Sequence, residues 1–111
     1  MKNVVIQGLG FVGSAMAVAV ASKLDKKNQP FFNVMGVDLP NIEGKARIDS
    51  INSGKFPFKI NDEKLAHELK KAIKRDNLNA ADSKDSYSDA DIVLVSINCD
   101  LMNEKGQEKI A

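Results

Sequence analysis

Apolar positions along the chain fall into runs of two kinds. Short runs dense in β-branched residues stand at Asn3–Gln7 (NVVIQ), Asn33–Val37 (NVMGV) and Asp91–Ile97 (DIVLVSI). Their near-continuous apolar character, without alternation, predicts strands buried on both faces. A weaker strand is predicted at Leu78–Ala81. The stretches between have helical character. Phe11 to about Lys27 is rich in Ala and Met and runs into the polar piece Asp25–Gln29, with Pro30 beyond it. Ile42–Asn52 predicts a second helix, with Gly54 as its stop. Asp62–Arg75 is the clearest amphipathic helix, with Leu65, Leu69, Ala72 and Ile73 on one face. Phe56-Pro57-Phe58 reads as loop, and a short helix is expected around Ser86–Ala90. Strands separated by helices predict right-handed βαβ units and a parallel sheet. The fold class is therefore α/β.

The stretch Val4–Ser22 (VVIQGLGFVGSAMAVAVAS) admits three readings: a secretory signal peptide, a buried strand and helix that happen to contain glycine, or a phosphate-holding turn. Lys2 and the small residues Ala19-Val20-Ala21 favour the first. Gln7 and three glycines break its apolar run, and the longest unbroken piece, Ala15–Ala21, is far below the ~20 residues that span a bilayer. Gly8-Leu9-Gly10-Phe11-Val12-Gly13 matches G-x-G-x-x-G, after a predicted strand and at the start of a predicted helix. In that setting Gly8 permits the tight turn, Gly10 keeps side-chain atoms out of the way of a pyrophosphate, and Gly13 lets helix and strand approach closely. The helix N-terminus adds free N–H groups and partial positive charge. Asp38 closes the second strand 25 residues after Gly13, against a usual spacing of about 20. A carboxylate there accepts hydrogen bonds from ribose hydroxyls and repels a 2′-phosphate, which favours NAD over NADP. The competing reading makes Asp38 a cap of the next helix and the glycines packing devices.

Length and charge narrow the alternatives. The chain has 111 residues, enough for one small domain, with 43% hydrophobic and 28% charged residues. A net charge of +1 gives no electrostatic case for nucleic acid or an anionic membrane, and no membrane-spanning run is visible. The single cysteine, Cys99, has no disulfide partner and no metal-ligand spacing around it, which suits a cytoplasmic protein without a metal site. Cys99 reads as a small buried residue and His67 as a solvated one off the apolar helix face; neither is expected to be catalytic.

Four pieces standing in order, VVIQGLGFVG, GVD, RIDSINSG (Arg47–Gly54) and SDADIVLVSIN, resemble the NAD-binding N-terminal domain of the UDP-glucose/GDP-mannose dehydrogenase family. The resemblance runs to about Leu101. It implies a Rossmann-type domain over residues 1–111, with its first four strands in the order 3-2-1-4, and incomplete because such a domain has six strands. It also implies a longer parent enzyme that oxidises the primary alcohol of a UDP- or GDP-sugar twice to the carboxylate, with NAD and a catalytic cysteine further downstream. By matching position it implies cofactor contacts from Gly8, Gly10, Phe11, Val12, Gly13 and Asp38. Arg47 matches a basic residue at the cofactor's adenosine end, where a guanidinium pairs with phosphate or stacks on an aromatic face. The partners implied are NAD and a nucleotide sugar, with a homodimer as the candidate assembly of the longer enzyme. The chain departs from the family pattern at Ala81, at Cys99-Asp100, at Ile60-Asn61-Asp62 and in a longer Asp38–Gly54 segment. The other readings are a non-catalytic NAD-sensing module, or the cofactor domain of a hydroxyacyl or hydroxy-acid dehydrogenase.

Overall fold

Val4, Val5 and Ile6 are each at most 2% exposed, so the first apolar run sits at the centre of the molecule. In the computed structural model, which describes residues 1–96, this run is β1 (Lys2–Gln7). It pairs in parallel with β2 (Phe32–Val37) on one side. On the other side it pairs, also in parallel, with β4 (Ile92–Val95), while β3 (Leu78–Ala81) pairs with the far edge of β2. The order is β3-β2-β1-β4, as the sequence predicts. Gln7, Val37, Ala81 and Val95 finish level with one another. The chain leaves β1 towards β2, and the crossover from β3 brings β4 back to the other side of β1, so the order reverses beside β1, where a crevice opens in such a sheet.

Three helices follow the predicted positions: α1 (Phe11–Ala21), α2 (Ile42–Asn52) and α3 (Glu63–Arg75). Ala17, Val18 and Ala21 of α1, with Leu69 and Ala72 of α3, cover Val4, Ile6, Val34, Leu78 and Ala80 of the sheet. Leu65 and Ile73 flank this core, so the amphipathic face of α3 is the buried one. Ile48 and Ile51 turn α2 onto the same core. The stretch from Val4 to Ala21 is therefore a core strand and a helix packed against the sheet by one face.

Three expectations are corrected. The first helix ends at Ala21, well short of Lys27. The Ala21 carbonyl accepts from Asn77 Nδ2 (2.8 Å) and Arg75 Nη2 (3.1 Å), so the end of α3 caps α1 from outside. The polar residues beyond then form a closed excursion: Asp25 Oδ1 accepts from the Lys27 and Gln29 N–H groups, and Leu24 bridges to Pro30. The short helix before β4 is a 3-10 turn at Lys84–Tyr87, not Ser86–Ala90, because Ser83 starts it by accepting from the Asp85 N–H. Last, β4 is not buried on both faces. Leu94 packs on the core, but Ile92, Val93 and Val95 are exposed, since among the described residues no strand pairs the outer side of β4 and no helix covers it. Ile97, counted in that strand from sequence, lies outside the described residues.

Two of the motif pieces have visible structural work. Asn52 closes α2, and its amide pairs with both backbone groups of Ala80, accepting from the N–H and donating to the carbonyl at 2.9 Å each. It thereby covers part of the open edge of β3. Asp91 Oδ2 accepts from the Asn3 N–H at 2.7 Å, and the Asn3 carbonyl accepts from the Asp91 N–H at 2.8 Å. That pair sets the register in which β4 enters beside β1.

Candidate cofactor site

The glycine turn is built by what surrounds it. Gly8 leaves β1 at φ +100°, a left-handed conformation that favours glycine, and a Cβ there would overlap the Ser96 carbonyl oxygen at the end of β4. A Cβ on Gly13 would overlap the Gly8 carbonyl oxygen and press on Ser96. These two glycines are demanded by the fold itself. Leu9 between them is fully buried and sits on Gly36 of β2, where a Cβ would lie 2.6 Å from Leu9 Cδ2. Ser14, also buried, donates its hydroxyl hydrogen to the Leu9 carbonyl at 3.0 Å. The loop is thus fixed to both strands and to α1.

Gly10 differs. Its backbone (φ −66°, ψ −170°) is open to any residue, and a Cβ built on it meets no atom of the described residues within 4 Å. It is the N-cap of α1, offers no side-chain cap, and no acidic residue stands in the first turn. The other two α-helices have Asn41 and Asp62 accepting from their own first-turn N–H groups. The N–H groups opening α1 instead face a cleft of about 880 Å³, lined by Gly8, Gly10, Phe11, Val12, Asp38, Arg47, Phe58, Tyr87 and Ser96, among others. That volume is in the range of small-molecule sites.

Asp38 stands at the end of β2, across the turn. Its Oδ2 accepts from the Leu9 N–H (3.0 Å) and its Oδ1 from the Leu39 N–H (2.7 Å). It does not cap α2; Asn41 does. An ionised carboxylate has about four lone-pair positions, so acceptor capacity remains for a ligand hydroxyl. Arg47, on α2, brings Nη1 to 3.4 Å from Asp38 Oδ2, and its guanidinium carbon lies 5.7 Å from the centre of the Phe58 ring. Phe11, Phe56 and Phe58 form an aromatic cluster beside it, with ring centres 5.5–6.2 Å apart.

Six of the seven residues singled out from sequence, Gly8, Gly10, Phe11, Val12, Asp38 and Arg47, therefore line one cleft. Gly13 does not face it; it lies beneath the loop, where its missing side chain lets the turn close. Sequence reasoning missed Phe58, Lys84, Tyr87 and the seat of Leu9 on Gly36. The last had a signal, since a glycine inside a strand marks a close approach. Cys99 lies outside the described residues. His67 is exposed on α3. Among the described residues no cluster of His, Cys, Asp and Glu is arranged to hold a metal ion.

A parallel sheet whose order reverses beside a glycine turn, with a carboxylate ending the next strand, defines a dinucleotide-binding α/β domain. The chain belongs to the UDP-glucose/GDP-mannose dehydrogenase family: the family's NAD-binding domain matches residues 2–109. The structure is similar to GDP-mannose dehydrogenase from Pseudomonas aeruginosa, solved as a ternary complex, with a TM-score of 0.70 and 26% identity over 88% of this chain and 20% of that one. It is also similar in fold to NDP-N-acetyl-D-galactosaminuronic acid dehydrogenase from Methanosarcina mazei Go1 (TM-score 0.74, 23% identity, 88% and 20% covered). A third is UDP-D-ManNAc dehydrogenase from Pyrococcus horikoshii (TM-score 0.65, 21% identity, 86% and 20% covered). The chain spans about a fifth of the length of these proteins. Comparison with curated proteins finds no match.

Proposed function

We propose that Gly8, Gly10, Phe11, Val12, Asp38 and Arg47 hold the adenosine and pyrophosphate end of NAD, with Gly13 shaping the turn beneath. The protein to which this chain belongs then oxidises the primary alcohol of a nucleotide sugar to a carboxylate. One observation carries the cofactor assignment: Gly10 is a glycine that no neighbouring atom among the described residues requires, at a helix start without a side-chain cap that faces a cleft. A backbone left bare towards open space fits a ligand that approaches it closely. The free N–H groups of α1 would take the pyrophosphate, Asp38 the ribose hydroxyls, and Arg47 the adenosine end. NAD, when bound, supplies the acceptor for the two electrons that leave the alcohol carbon. The residues of this chain supply position and field: the fixed loop sets the phosphate, and the carboxylate sets the ribose and disfavours a 2′-phosphate.

We read residues 1–111 as part of a single NAD-binding domain, in a cytoplasmic protein that assembles as a homodimer and does not act on nucleic acid. The single cysteine and the net charge of +1 accord with that setting. Among the described residues no helix is long and apolar enough to cross a membrane.

The test is an NMR titration with NAD and NADP. Amide shifts are expected at Gly8–Gly13 and Asp38, with NAD the tighter ligand. Asp38→Asn keeps an acceptor for the Leu9 N–H but removes the charge, so it is expected to narrow the NAD/NADP preference by roughly tenfold, the effect of one charged hydrogen bond. Amides that stay still at millimolar NAD in a folded sample would overturn the assignment.

A further inference from the structure

We propose that Phe58 is a positioning residue for the adenosine end of the cofactor, acting through Arg47. The inference rests on the cofactor reading above. Arg47 reaches the cleft on a long side chain with much rotamer freedom. Its contact with Asp38 is a poor anchor: the separation is 3.4 Å, the Arg47 side chain is 30% exposed, and an ion pair of that kind is worth little. Among the described residues the other contact holding the guanidinium is the Phe58 ring, at 5.7 Å. That ring is in turn held from the side by Phe11 (5.8 Å) and Phe56 (6.2 Å). Phe11 is the first residue of α1, directly after Gly10. The cluster therefore ties the place where the phosphate rests to the place where the guanidinium rests. A cation held over a ring before the ligand arrives is already ordered, so binding does not bear the cost of ordering it.

The experiment is a double-mutant cycle read with AMP, the adenosine half of NAD, titrated into the full chain. The proteins are the unaltered chain, Phe58→Leu, Phe58→Tyr, Arg47→Ala, and Phe58→Leu combined with Arg47→Ala. Phe58 is only half-buried and leucine keeps the site apolar, so the fold is expected to survive, and thermal melts check it. Phe58→Leu is expected to weaken AMP binding roughly two- to fivefold, the worth of an exposed cation–π contact. Phe58→Tyr restores a ring and is expected to bind as the unaltered chain does. With Arg47→Ala already present, Phe58→Leu is expected to have no further effect. An equal loss with and without Arg47 would overturn the proposal, since Phe58 would then act on the ligand or the packing directly. AMP binding that Phe58→Leu leaves unchanged would overturn it too, with the cofactor reading intact. An unaltered chain that binds neither AMP nor NAD would overturn both.

Discussion

At the scale of single residues the three glycines of the loop separate by what a Cβ would strike. On Gly13 it would strike the Gly8 carbonyl and Ser96; on Gly10 it would strike nothing among the described residues. Gly13→Val is therefore expected to destabilise the fold by about 1–3 kcal/mol, the usual cost of forcing atoms into a packed region. Gly10→Val is expected to leave the melting temperature nearly unchanged while abolishing the NAD-induced shifts. Thermal melts and titrations on the two variants check both halves. The same outcome for both variants would mean that the loop does not divide its work this way. Asp38 shows how one residue serves two ends. Its oxygens lock Leu9 and Leu39, which a reading of the chain as either cap or ribose acceptor does not anticipate.

At the scale of elements the edges of the sheet are where side chains replace missing strands. Asn52 gives β3 one reciprocal amide pair, which keeps both backbone groups of Ala80 satisfied. Asn52→Ala would leave them unpaired by protein, and is expected to cost about 1–3 kcal/mol of stability without moving the cleft. Denaturant unfolding measures the loss, and NAD titration at a temperature where the variant is folded checks that binding persists. At the far end of the same layer, buried Asn77 donates to the Ala21 and Phe32 carbonyls and so joins the end of α1 to the start of β2. Amphipathic spacing places α3 correctly from sequence, but spacing says nothing of where α1 stops. Its stop is imposed by a side chain 56 residues away.

For the molecule as a whole, the proposed role of the cleft is to bind and orient, and the chemistry of the family belongs to residues that the resemblance puts downstream. The chain by itself is expected to form no NADH with UDP-glucose or GDP-mannose above a protein-free blank, even where it binds NAD; turnover in that assay would give these residues a catalytic part. How much of this was legible beforehand follows from where each signal is written. Strand and helix positions, the glycine turn and the carboxylate after it are set by local hydrophobic period and by backbone requirements within a few residues, so the chain alone places them, and the β3-β2-β1-β4 order follows once that turn marks the sheet as a dinucleotide-binding one. Tertiary structure decided the rest: Leu9 seated on Gly36, Phe58 beneath Arg47, the early end of α1, and the exposure of β4. Each depends on which distant residues meet, and no local pattern carries that, because contact across a fold is chosen by the packing of whole elements rather than by neighbours in sequence.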